Sequence, residues 1–327
     1  MAQAVDLVEV WRGDILEGMH QGHAVIVDET GQIVSAWGDP EAVILPRSSC
    51  KMVQAVPLIR SGAADNAGLG SKQLALACAS HSGEAQHVTS VQDWLKTLGL
   101  DDDALRCGAH LPMGEAAKHA MIADHGSPCQ SHNNCSGKHA GFVTLNAHLG
   151  GHAEYIELDH PVQIACKDAM EEATGVDTPG HCIDGCSAPN FATTVSGLAR
   201  AMVRFATAPD GSAEHRLTHA MMAHPELVAG TDRACTDLMR EMNGKAAIKT
   251  GAEGVYTAIL PGQKLGIALK ITDGATRASE AVIAALLAKC GVLDPESPTA
   301  QKRLRPVLKS WRGFEAGEVR PVADLLK

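Results

Sequence analysis

The feature that most constrains this chain is the placement of its β-hairpin signals, one near each end, around a middle that reads as helix. His23 to Val27 (HAVIV) and Gln32 to Ala36 (QIVSA) are β-prone runs joined by Asp28-Glu29-Thr30-Gly31, where Gly31 can take the positive φ that a tight turn needs. Far along the chain, Val255 to Leu260 (VYTAIL) and Leu265 to Thr272 (LGIALKIT) repeat the pattern across Pro261-Gly262-Gln263-Lys264. Between them the helix signals dominate: Ser48 to Arg60 ahead of Gly62, Gly83 to Leu98 behind Ser82, and His160 to Ala173 before Gly175. After the second hairpin, Ser279 reads as the cap of an Ala/Leu-rich helix ending at Gly291. This order predicts an α/β fold, with a sheet lobe built from both chain ends (about 1–47 plus 185–327) and a largely helical lobe (about 48–184) inserted between them. No Pro- or Ser-rich linker, fixed-period repeat or low-complexity tract divides the chain, so the two lobes read as one unit.

Composition narrows the function. With 45% apolar and 20% charged residues over 327 positions, the chain has the make-up of an ordinary globular enzyme. A formal net charge of -10 repels nucleic acid and anionic membrane surfaces, so neither is an expected partner, and a small neutral or zwitterionic substrate fits better. The first ten residues mix Asp6 and Glu9 into their apolar positions, unlike a secretory leader, and the longest apolar run, Ala281 to Ala288, stops at Lys289, short of a membrane span. The expected location is cytoplasmic, where ten scattered cysteines are mostly small buried hydrophobes.

Arg47-Ser48-Ser49-Cys50-Lys51 opens a predicted helix and places Ser48 and Lys51 three residues apart on one face. A serine hydroxyl needs a neighbouring base, and a lysine serves only if burial or nearby positive charge makes it neutral. The helix start adds backbone N–H groups for an oxyanion and a macrodipole that disfavours ammonium. The plain alternative is a capping serine and a solvated lysine; Ser49 and Cys50 are rival nucleophiles, and only the spacing favours Ser48. A second polar cluster follows the apolar run Leu74 to Ala79: Ser80-His81-Ser82-Gly83-Glu84, read as a strand-to-helix junction of the kind where sites are built.

Two cysteine segments stand out. Asn133-Asn134-Cys135-Ser136-Gly137-Lys138-His139 crowds amide, thiol, hydroxyl, ammonium and imidazole around one glycine, and Asp184-Gly185-Cys186 sets a thiol beside a carboxylate in a turn, with Cys182 upstream. Three readings stay open: a zinc site completed by His132 or His139, a redox pair, and two buried thiols that never meet. Neither C-x-x-C nor H-E-x-x-H spacing decides among them.

Arg47 to Lys51, Ala79 to Glu84, Asn134 to Gly141 and Asp184 to Cys186, in that order, resemble the signatures of the rhizobial-type, thermolabile-related L-asparaginase family. Arg106 to His110, Asp159-His160-Pro161, His224 to Gly230, and Leu265 to Lys270 ahead of Asp273-Gly274 agree with it; beyond Ala278 the likeness weakens. The resemblance implies a serine β-lactamase/glutaminase-like fold and hydrolysis of L-asparagine through two Ser-Lys tandems, Ser48 with Lys51 and Ser80 with Lys249. It also implies zinc on Cys135, Lys138 and Cys186 with Asp184 close by, substrate contacts from Arg47 and His139, and a homodimer. The rivals are a glutaminase or β-lactamase-like amide hydrolase and, from another class, a zinc- or thiol-based binding or redox protein.

Overall fold

The computed structural model describes residues 3–326, and the chain divides into two compact units. The first takes everything up to Ser49, Thr193–Thr207 and everything from Asp237; the second takes Cys50–Ala192 and Ala208–Thr236.

The first unit is built on an eight-stranded antiparallel sheet. Its spatial order runs Val307–Lys309, Glu315–Pro321, Val5–Arg12, Ile15–Val27, Leu265–Ile271, Val255–Leu260, Ala247–Thr250, with Ile33–Trp37 also paired to Ile15–Val27. Both hairpins expected from the sequence form, the first across Gly31 at φ +82° and the second across a turn whose positive φ falls on Lys264 at +52°. The chain ends meet in the sheet: Val8 pairs with Pro321 and Arg12 with Gly317, while Ala24 faces Leu269 on the next strand. Every residue of Val255–Leu260 is buried, which requires cover on both faces, and helices Val195–Ala206 and Thr276–Lys289 both pack against this strand. The latter helix begins at Thr276, three residues before Ser279, because Asp273 turns the chain by accepting the Ala275 N–H; Ser279 lies inside it, buried.

The second unit is helical. Helix Pro161–Thr174 has proline in its first turn, His160 capping the Val162 N–H through its ring, and Gly175 at φ +67° ending it, as its sequence pattern predicts. Two expectations change. Leu74 to Ala79 is no strand: Ser71–Ala77 is a helix, since Leu and Ala favour helix and the run lacks β-branched residues. The single helix expected over 48–60 is a 3-10 turn Arg47–Cys50, a helix Lys51–Gln54 and a helix Val56–Arg60, because Pro57 has no N–H to continue the ladder. The macrodipole invoked for Lys51 therefore comes from barely one turn. The lobe boundary drawn at 184/185 lies inside the small hairpin His181–Ile183/Pro189–Phe191, which the second unit holds whole.

Helix Ser136–Leu149 packs against Ser71–Ala77, and at Gly137 an added Cβ would fall on the Leu76 carbonyl oxygen and within 3.0 Å of the Leu76 Cβ. Backbone cannot yield there as a flexible side chain can. Gly137→Ala is expected to destabilise the protein by about 1–3 kcal/mol, read as a lower midpoint in thermal or urea unfolding; an unchanged midpoint would show that the helix pair can separate without cost. Among the described residues no helix is long and apolar enough to cross a membrane.

Candidate active site

The second unit buries two lysines within one polar cluster. Lys51 is 1% exposed, and its Nζ donates to the Ala79 carbonyl, lies 3.0 Å from Ser80 Oγ and 3.1 Å from Cys135 Sγ. Lys138 is 4% exposed; its Nζ is 3.1 Å from Cys186 Sγ and 5.1 Å from the centre of the Phe142 ring. Three of the expected site residues, Lys51, Ser80 and Cys135, thus come together directly, as do Lys138 and Cys186.

Proton positions in this cluster follow from its contacts. Cys186 accepts a hydrogen bond from Cys135 and faces the Lys138 ammonium, so its thiol titrates well below the ordinary range despite burial. Cys135, as donor to that thiolate and itself buried, is pushed well above it. Burial alone would lower Lys138, yet the Cys186 and Cys135 sulfurs more than offset this and hold it as a cation. The two sulfurs thereby share one proton and one negative charge, which the Lys138 ammonium balances. Asp184 sits two residues before Cys186 in the turn, where its Oδ1 accepts the Gly185 N–H. His139 is fully buried, which depresses its pKa, and its Nδ1 meets the Tyr155 hydroxyl at 2.9 Å.

The loop carrying Ser80 is fixed by groups whose role sequence reasoning missed. The Ser80 N–H donates to the Val228 carbonyl, Ser82 Oγ to the Ala229 carbonyl, and Thr231 N–H to Glu84. The segment His224 to Gly230 was legible as a motif, but nothing in it shows that it supplies carbonyl acceptors to a serine loop. Beneath Ser80, His81 and His87 stack with ring centres 4.8 Å apart. Each accepts a backbone N–H at Nδ1, from Gly83 and Glu84 respectively, and is left to donate from Nε2, to Ser136 Oγ and the Glu226 carbonyl. Both are neutral, with burial lowering their pKa values.

The remaining expected site residues lie on the first unit. Ser49 is fully buried and its hydroxyl donates to the Pro46 carbonyl at 2.7 Å. Arg47 takes a left-handed φ of +53°, and its charge is felt by Lys270. Ser48 between them is half-buried. Lys249, 1% exposed, lies on strand Ala247–Thr250, with Nζ donating to the Thr250 carbonyl. This strand end faces the serine turn: Thr257 Oγ1 reaches the Ser49 carbonyl at 3.0 Å and the Lys249 carbonyl at 3.4 Å, and a Cβ on Gly251 would lie 2.7 Å from the Pro46 oxygen. On the second unit, Cys50, the last residue of the same 3-10 turn, is 2% exposed, and burial raises its thiol to about 12.

Among the described residues no three His, Cys, Asp or Glu side chains are grouped to hold a metal ion. The donors expected for zinc are of another kind, two thiols and an amine.

A buried amine against a serine hydroxyl, with a half-buried serine on the turn that leads into it, is the equipment of an amide-cleaving hydrolase. The model of the L-asparaginase II family matches residues 8–321, and the chain belongs to that family. None of the curated proteins matches. Solved structures that match include a β-lactamase from Mycobacterium bovis, 13% identical over 82% of this chain and 94% of that one, at a TM-score of 0.44. A putative β-lactamase from Bacteroides dorei (10% identity, 76% and 84% covered, TM-score 0.41) and Mglu in its tris and glutamate form (12%, 84% and 60%, 0.38) also match.

The neutral histidine pair makes stability pH-dependent. An unfolded imidazole binds its proton near pH ~6.5, whereas His81 and His87 in the folded chain bind theirs at lower pH. Below that pH the unfolded state therefore holds more protons, and stability falls as acid is added. Unfolding midpoints measured from pH 8 down to pH 5 are expected to decline below about 6.5, and to decline less in His81→Gln; a flat profile in the parent protein excludes this linkage.

Proposed function

We propose that the chain hydrolyses L-asparagine to L-aspartate and ammonia through an acyl-enzyme on Ser48. The observation that carries this reading is elimination along one turn. Ser49 is buried and bound to Pro46, Cys50 is buried with its thiol held protonated, and Ser48 alone of the three retains access to solvent. In this scheme Ser48 attacks the side-chain amide carbon, and Lys51 removes the hydroxyl proton and returns it to the departing ammonia. Backbone N–H groups at the turn hold the oxyanion, water releases aspartate, and Ser80 with Lys249 passes protons. Arg47 suits a substrate carboxylate, because its fork pairs with both oxygens.

The contacts of Lys51 support its part as a base. Its Nζ lies 3.0 Å from Ser80 Oγ, close enough to exchange a proton with a serine hydroxyl. The same 3.0 Å contact favours a second reading in which Ser80 itself attacks. Ser48→Ala is expected to lower kcat/KM for L-asparagine by about a thousandfold or more, and peptide mapping of a trapped intermediate is expected to find the aspartyl adduct on Ser48. An adduct on Ser80 decides for the second reading. Turnover of glutamine or a chromogenic β-lactam in preference to asparagine overturns the substrate assignment and leaves amide hydrolysis standing.

We further propose zinc on Cys135, Lys138 and Cys186, with Asp184 in support. The donor set fits: the Lys138 ammonium now balances a thiolate, which a metal cation would do in its place once Lys138 gives up its proton. Zinc, when bound, supplies fixed positive charge and Lewis acidity. Metal analysis of the purified protein is expected to find zinc, lost in Cys186→Ser; a parent protein that holds none even after zinc is added sinks this site. We also extend the homodimer expected from the resemblance to this chain, to be read by light scattering.

A further inference from the structure

Thr257 lies in the second hairpin, where nothing in its sequence marks it for chemistry, yet it is fully buried and its hydroxyl faces two carbonyls. A threonine hydroxyl has one proton to give. It goes to the Ser49 carbonyl at 3.0 Å, the nearer of the two, while the Lys249 carbonyl stands 3.4 Å away. Thr257 and Lys249 are direct partners across the antiparallel pair formed by Ala247–Thr250 and Val255–Leu260. Residues opposed in this way project from the same face of a sheet. The Lys249 side chain therefore leaves its strand on the face against which the Ser49 carbonyl is held.

The turn that carries Ser48 has a shape of its own but no position of its own. Ser49 donates both its N–H, at 3.2 Å, and its hydroxyl, at 2.7 Å, to the Pro46 carbonyl, closing a loop around Arg47 and Ser48. Those bonds are internal and leave the loop free to move as a body. Gly251 limits how far it moves inward, since a Cβ there would stand 2.7 Å from the Pro46 oxygen and 3.2 Å from the Ser49 Cβ. That contact is steric and can only push. The Thr257 hydroxyl supplies the pull, at the peptide one residue beyond Ser48.

We propose that Thr257 is a positioning residue that, through the Ser49 carbonyl, holds the Ser48 turn against the face of the sheet from which Lys249 projects. This rests on the reading of Ser48 as nucleophile. A misplacement of about 1 Å can cost a hundredfold in rate, and Thr257→Val, which keeps the shape of the side chain and removes the donor, is the change that frees the turn.

Phosphonylation by a fluorophosphonate reads the reactivity of Ser48 without reference to substrate, as a rate constant and as the fraction of chains labelled, with peptide mapping locating the adduct. Labelling is done well below each variant's unfolding midpoint. Thr257→Val is expected to lower the rate constant about tenfold, and Thr257→Ser, which keeps the hydroxyl, to stay within about threefold of the parent. In turnover of L-asparagine, the Val variant is expected to lose about tenfold in kcat, with KM changed less than about twofold. A Val variant that labels at the parental rate overturns the proposal, even if a smaller fraction is labelled, because misfolded chains lower the fraction and not the rate. So do equal losses in the Val and Ser variants. If Thr257→Val fails to fold, Thr257→Ala and Thr257→Ser, which differ only in the hydroxyl, give the same comparison. An adduct on Ser80 in the parent, or no adduct and no turnover, defeats the nucleophile assignment and the proposal with it. Hydroxyl-dependent labelling of Ser48 in a protein that does not turn over asparagine supports the proposal and defeats only the substrate assignment.

Discussion

Two lysine amines inside one helical unit set the terms for everything around them. An isolated ammonium taken out of water costs several kcal/mol, so each must find acceptors or lose its proton. Lys51 takes a carbonyl, a hydroxyl and a thiol; Lys138 takes a thiolate and the face of Phe142. From this follow the ionised state of Cys186, the retained proton on Cys135, and the need for a loop that holds Ser80 still against Lys51. The carbonyls of Val228 and Ala229 meet that need.

Such an arrangement is a poor choice for stability alone, since apolar side chains of the same volume would pack at lower cost. The position of the cluster argues that chemistry retains it. Every member sits on the first turn of a helix, at the end of one, or in a tight turn: Lys51 opens Lys51–Gln54, Ser80 follows Ser71–Ala77, Lys138 lies in the first turn of Ser136–Leu149, and Cys186 lies in a hairpin turn. These are the places where backbone groups remain available to a ligand.

Much of this was legible in the sequence, and the rest for definable reasons was not. Both hairpins and the helix Pro161–Thr174 could be read because Gly31, Pro161 and Gly175 act locally, on their own turn or cap. The residue types at the cluster were visible as dense polar segments, and their family likeness could be recognised. The breaks after Cys50 and Ala55 were hidden because the pull of one proline competes with apolar periodicity that runs straight through it. The Leu74 to Ala79 run was ambiguous by length, since six apolar residues suit a strand or a buried helix equally. Tyr155 and Val228 were beyond reach, because they act through a hydroxyl and a carbonyl brought in from distant segments, with no motif to announce them.

The pairing of Val5–Arg12 with Glu315–Pro321 carries a temporal consequence. During synthesis the first strand emerges some three hundred residues ahead of its neighbour and must wait with one edge open. Loop-closure entropy makes such long-range pairing slow, and an unpaired edge invites association with other chains. Helical segments from Cys50 onward depend on contacts made mostly within their own span. The polar cluster can therefore assemble while the ribosome is still at work, whereas the sheet of the unit that includes Ser48 and Lys249 closes only once Glu315–Pro321 has been made.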